Sequence, residues 1–132
     1  MEIVNGEFPP NIDKIREKFE IHDKVVFTFG NRLYVPCSLP VDDALLAHEE
    51  THAKQQGDDP ASWWDKYLID AHFRVGQELA AYRRQYKVFK RKIGAPDVRK
   101  QYLTHLATAL SSKIYGEAIS FHTAYKKIRQ AN

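Results

Sequence analysis

Asp42-Asp43-Ala44-Leu45-Leu46-Ala47-His48-Glu49-Glu50-Thr51-His52-Ala53-Lys54-Gln55-Gln56-Gly57 decides how the rest of the chain is read. Pro40 with Asp42 and Asp43 suits a helix start, and Gly57 marks a stop after Gln56, so the stretch predicts one helix. On that helix His48 and His52 stand one turn apart on one side, and Val41 and Leu45 continue the same face. The histidines are thereby drawn inward. A lone inward histidine is ordinarily a core residue with a hydrogen-bonded neighbour, whereas two stacked histidines can share one ion of tetrahedral preference. Glu49 is rotated by roughly 100° from His48. It therefore approaches a water beside the ion from the flank and is placed to take its proton as a general base.

A catalytic zinc needs a third protein ligand and one open position. Asp70, His72 and Glu78 are the downstream candidates. Glu78 follows Val75 by three positions and precedes Tyr82 by four, on the flank of an apolar seam where a carboxylate needs a partner. His72 stands at the start of its helix, where geometry is looser, so burial favours Glu78. The alternative for Glu78 is a surface ion pair with Arg74, one turn earlier.

The elements around this stretch read as follows. Asn11 is positioned to cap a helix reaching Phe19 or Glu20, with Ile12, Ile15 and Phe19 on one stripe. Lys24 to Phe29 and Arg32 to Pro36 flank Gly30-Asn31 and predict a β-hairpin, the one convincing strand signal. Asp59-Pro60 opens a short helix through Trp63, Trp64 and Tyr67. Asp70 caps a longer helix ending before Gly94, whose seam is Val75, Leu79, Tyr82, Tyr86, Phe89 and Ile93. Leu103, Leu106, Leu110 and Ile114 form another face, and Ala118, Phe121, Tyr125 and Ile128 a third, after a break at Tyr115-Gly116. The expected class is α+β, predominantly helical, with an N-terminal hairpin packed on a helical bundle, and residues 1–132 as one domain.

The chain has 132 residues, 43% hydrophobic and 28% charged, a globular balance. Its formal net charge of +3 does not call for a polyanionic partner. The basic run Arg83, Arg84, Lys87, Lys90, Arg91 and Lys92 reads as a solvated helix face complementing the dipole, so no nucleic acid is expected. With Cys37 as the single cysteine, an intramolecular disulfide and a thiolate-rich site are excluded, leaving histidine and carboxylate to hold any metal. No signal-peptide pattern or membrane-length apolar run is present, and the expectation is a soluble, cytoplasmic protein without membrane contact. Trp63, Trp64 and Tyr67 read as core closing two helices, with a substrate groove as the alternative.

His48-Glu49-Xaa-Xaa-His52 followed one helix later by a glutamate resembles the gluzincin group of zinc metallopeptidases. The larger context of His52-Ala53-Lys54-Gln55-Gln56, Trp63-Trp64-Asp65-Lys66-Tyr67, Arg74 and Glu78-Leu79-Ala80-Ala81-Tyr82-Arg83 resembles small metallopeptidases encoded by bacteriophages and prophages. Ala109-Leu110-Ser111 with Ile114-Tyr115-Gly116 extends the resemblance, which covers residues 24 to 128. It implies a minimal zincin-like domain, Zn2+ held by His48, His52 and Glu78, and Glu49 as general base. A peptide or protein substrate, and the host cytoplasm as location, come with it. Tyr115, Tyr82 and His122 are the candidates for stabilising an oxyanion, with Tyr115 taken as the catalytic one. The competing reading is a non-catalytic, zinc-stabilised phage accessory or protein-binding module.

Overall fold

The computed structural model describes residues 1–116 and 118–130, with the Ile114 side chain and residues 117, 131 and 132 outside the description. Among the described residues, three strands and six helices follow in the order β1 (Glu2–Asn5), α1 (Ile12–Lys18), β2 (Phe27–Phe29), β3 (Arg32–Val35), α2 (Asp43–Gln56), α3 (Pro60–Ile69), α4 (Ala71–Lys92), α5 (Pro96–Leu110) and α6 (Phe121–Arg129). A single 3₁₀ turn at Lys113–Tyr115 separates α5 from α6. This is the expected α+β, predominantly helical class.

Local chemistry sets the helix ends. Asp42, Asp59 and Asp70 each accept the backbone N–H three residues on, from Leu45 at 2.8 Å, Ser62 at 3.1 Å and Phe73 at 3.0 Å. Asp70 also ends α3, so α3 and α4 meet at one residue. Gly57 stops α2 at φ +55°, a conformation glycine adopts without a Cβ clash. The break expected near Tyr115-Gly116 is the 3₁₀ turn followed by Gly116 in the left-handed region. Asn11 precedes α1 as expected, but its side chain makes no capping bond.

The hairpin β2–β3 turns at Gly30-Asn31 with Phe29 opposite Arg32. Its first strand is shorter than the sequence suggests, and β1 adds a parallel third strand, giving the order β1-β3-β2. β1 is four residues long and mostly exposed, so it carries too little alternation to read from sequence.

Two apolar clusters flank the centre. One joins Val75, Tyr82 and Tyr86 of α4 to Leu103, Leu106, Ala107 and Leu110 of α5 and Ala124 and Ile128 of α6. The other joins Ile15 of α1 and Phe27 of β2 to Trp63, Trp64, Tyr67 and Leu68 of α3. Tyr115 packs against both. The face expected on α6 shifts: Phe121 is 43% exposed and Ala118 lies outside the helix, because Ser120 caps it and accepts from Thr123 N. The Ile114 side chain, expected on the α5 face, lies outside the described residues.

Candidate metal centre

Between the two clusters lies a polar layer made by α2 and α4. On α2 the buried residues are Ala44, Ala47, His48, Glu49, His52 and Gln56. On α4 a second buried stripe, Arg74, Glu78, Ala81 and Gln85, runs beside Val75, Tyr82 and Tyr86. At 100° per residue the two stripes are about a quarter-turn apart, so α4 serves α5 and α6 with one side and α2 with the other. The apolar seam of α4 and the place of Glu78 on its flank were legible in the sequence; the burial of Arg74 and Gln85 beside it was not.

His48 Nε2 and His52 Nε2 each lie 3.1 Å from Glu78 Oε1, and 3.1 Å from each other. All three residues are buried, and they form a group able to hold a metal ion. Tetrahedral ligands 2.0–2.1 Å from an ion are about 3.3 Å apart, close to this triangle. His72, the other imidazole considered, is exposed, and Asp70 is engaged as a helix cap. The ion pair of Glu78 with Arg74 does not form. Arg74 instead donates from Nε to Tyr67 O at 2.8 Å and from Nη2 to Leu68 O at 2.9 Å, at the C-terminal turn of α3.

The hydrogen bonds behind the triangle determine what its inner atoms are. Gln55 Nε2 donates to Gln77 O at 3.0 Å, which turns Gln55 Oε1 toward His52 Nδ1 at 2.8 Å. Gln85 Nε2 donates to Tyr102 Oη, and Gln85 Oε1 lies 2.8 Å from His48 Nδ1. A carboxamide oxygen only accepts, so each Nδ1 carries a proton and each Nε2 is the nitrogen left to offer a lone pair to an ion. Glu78 Oε1 presents a third. Three lone pairs at 3.1 Å repel unless a cation sits among them, and this chemistry of the donor set fits a metal. In the ion-free protein a proton answers the same demand. Burial opposes a charge on His52, but the charge and hydrogen bond of Glu78 outweigh it and raise His52. Burial likewise opposes the charge on Glu78, and His52 with the two imidazole hydrogen bonds outweighs it and holds the carboxyl well below the usual range.

The second oxygen of Glu78 accepts from Tyr67 Oη at 2.5 Å. Oε1 alone therefore faces the histidines. Glu49 is also buried, and its Oε2 accepts from Thr28 Oγ1 at 2.7 Å, which ties it to β2. A cavity of about 100 Å3 lies beside the triad, lined by His48, Glu49, His52, Glu78, Tyr67 and Tyr115 among others. Tyr115 Oη lies 3.1 Å from Tyr82 Oη. Burial first, and then the Glu78 charge, raise Tyr67 and Tyr115 well above an ordinary phenol, so both are neutral donors. Tyr82 packs its ring edge-on to His48 at 4.6 Å, and His122 is exposed on α6. Of the three oxyanion candidates, Tyr115 is the one that lines the cavity.

The two tryptophans are buried as expected of core residues, and they also wall the cavity, with the Trp63 ring 5.4 Å from His52. Sequence reasoning missed Thr28, Gln55, Gln85 and the Tyr67 bond to Glu78. A polar residue one turn past His52 was the one available signal for Gln55; the others depend on distant elements. Comparison with family models, with curated proteins and with solved structures finds no match.

Proposed function

We propose that the protein is a zinc-dependent hydrolase acting on a carbonyl substrate of the peptide or amide type. The observation that carries this reading is the convergence of His48 Nε2, His52 Nε2 and Glu78 Oε1 as three lone pairs, with Glu49 in the same cavity. Two imidazoles and one carboxylate, with no thiolate, suit zinc, and three protein ligands leave one position for chemistry. The resemblance of the Trp-Trp and Glu-Xaa-Xaa-Ala-Tyr context to phage-encoded metallopeptidases points the same way.

When bound, the ion supplies Lewis acidity and brings the pKa of water toward neutrality. Glu49 takes the proton released as water attacks the carbonyl. Thr28 Oγ1 occupies Oε2 of Glu49 and orients Oε1 for that transfer. Tyr115, a neutral phenol on the cavity wall, donates to the oxygen on which charge develops. Gln55 and Gln85 keep both imidazoles in the metal-binding tautomer, and Tyr67 holds Glu78 by its other oxygen. The apolar walls exclude bulk water.

Elemental analysis of the purified protein is expected to find one zinc per chain, retained in Glu49→Gln and lost in His48→Ala and Glu78→Ala. Wild type should hydrolyse members of a broad peptide library and Glu49→Gln should not, with a loss of at least 10²-fold. Absence of any stoichiometric divalent metal sinks the proposal. A second reading, a purely structural zinc in a protein-binding module, is favoured by the burial of the ligands, all 5% exposed or less, between two apolar clusters. It predicts that Glu49→Gln changes no function while His48→Ala melts far below wild type.

A further inference from the structure

We infer that the substrate is compact: an amide carrying one apolar group beside the scissile bond, gripped by that group and not by pairing of an extended chain with the sheet. The inference rests on the hydrolase reading above and narrows its substrate.

The edge of the sheet nearest the triad is covered at residues 28 and 30. β2 is an edge strand in the order β1-β3-β2, and Thr28 at its centre bonds Glu49. An open strand edge beside a hydrolytic centre is where an extended peptide would add as a further strand. A backbone carbonyl has two lone pairs. Thr28 O spends both, accepting from Gln56 Nε2 at 2.8 Å and Trp64 Nε1 at 2.9 Å. Gly30 N–H donates to Gln56 Oε1 at 2.7 Å. The Gln56 carboxamide thus stands where the peptide groups of a neighbouring strand would stand, meeting the carbonyl of residue 28 and the N–H of residue 30. Gln56 and Trp64 are themselves buried, at 4% and 8% exposure. An incoming chain would have to strip both and leave a buried indole N–H and a buried carboxamide unpaired, which cancels what the new main-chain bonds return.

The cavity offers the other grip. Its polar lining is the triad and Glu49 with Thr28, Gln56, Tyr67 and Tyr115, and the remaining walls include Phe19, Ile21, Val25 and Phe27. No lysine or arginine is among the lining residues, so an anionic group entering there would lose water without gaining a cationic partner. The lining carboxylates, Glu49 and Glu78, are engaged by Thr28, by Tyr67 and by the two histidines, so a cationic group on the apolar walls meets no free partner either. An apolar cavity of about 150 Å3 takes a benzene ring. The volume here, about 100 Å3, matches one branched aliphatic side chain and not a run of residues.

Two readouts on the zinc-loaded protein test this. Calorimetry compares N-blocked hydroxamates of leucine, valine, glycine, aspartate and lysine, and hydrolysis is followed on blocked dipeptide amides of the same series and on a reduced, carboxymethylated unfolded protein. Leucine and valine hydroxamates should bind at least tenfold tighter than the glycine, aspartate and lysine probes. Internal cleavage of the unfolded protein should be at least 100-fold slower per bond than cleavage of the leucine amide. Val25→Phe, on the apolar wall, should erase the leucine preference while zinc content stays the same. Equal binding across the series, or internal cleavage as fast as that of the small amide, overturns the inference and leaves the hydrolase reading standing. Apolar-selective hydroxamate binding without hydrolysis of any substrate keeps the apolar grip and sinks the hydrolase. Binding of no hydroxamate at all overturns both.

Discussion

At the scale of single residues, the candidate centre depends on atoms one hydrogen bond behind its three inner atoms. Gln85 and Gln55 stand outside the triangle, yet each places its carboxamide oxygen on the Nδ1 of one histidine and leaves the Nε2 facing Glu78. Replacing Gln85 by Leu removes the acceptor for His48 Nδ1–H and lets the ring adopt the other tautomer or rotate. The expected result is a 10- to 100-fold loss of zinc affinity, measured by competition with a chromogenic chelator, with an unchanged circular dichroism spectrum. Gln55→Leu should act on His52 in the same way. Unchanged affinity in both variants would remove the tautomer argument. This level was half legible in the sequence. The four-residue spacing of His48 and His52 exposes the pair, because both lie on one helix. Gln85 and Thr28 are 37 and 21 positions from their partners, and no periodicity connects them.

At the scale of elements, α2 is built with few apolar contacts of its own. Its buried face is mostly polar or small, so its ends matter more than its hydrophobicity. Asp42 satisfies a first-turn N–H and places a negative charge at the positive end of the helix. Asp42→Ala should cost about 1 kcal/mol in urea unfolding, and Asp42→Asn much less, because the amide oxygen still accepts. If Ala and Asn behave alike, the hydrogen bond from Leu45 is not what holds the turn. Near the same end, Asp43 pairs with Lys92 on α4 across the exposed ends of the two helices. Helix boundaries were the well-read part of the chain: Asp42, Asp59 and Asp70 cap where aspartate before a helical pattern predicts. β1 and the displaced face of α6 were misread or unseen because both are short and their burial comes from neighbours.

At the scale of the whole molecule, the site is the join between two apolar clusters that, among the described residues, share Tyr115 alone as a packed member. A metal held by His48 and His52 of α2 and Glu78 of α4 would tie the α5–α6 side to the α1–α3 side. Any ligand that binds the folded state alone adds RT ln(1 + [L]/Kd) to stability, about 2.7 kcal/mol at a hundredfold excess over Kd. Removing zinc with a chelator should lower Tm, and restoring it should return Tm to the starting value. The shift should vanish in Glu78→Ala, in which the metal has lost a ligand. A chelator-insensitive melt of a zinc-containing wild type would show that the metal does not bridge the two sides. Among the described residues, no helix is long and apolar enough to cross a membrane, and the six helices instead pack on one another and on the small sheet.

The sequence by itself determined that His48 and His52 share a face, that Glu49 stands beside them, and that capped helices carry them into a mostly helical fold. Helical geometry is local, so residue spacing and end chemistry suffice for that much. Only the tertiary structure decided that Glu78 and not His72 or Asp70 completes the triangle. It alone showed that Tyr67 takes the other oxygen of Glu78, that two glutamines hold the imidazole tautomers, and that Gln56 and Trp64 close the edge of β2. Each of these depends on which faces of separate elements meet. A pattern along one helix gives the direction of a side chain but not what it finds there.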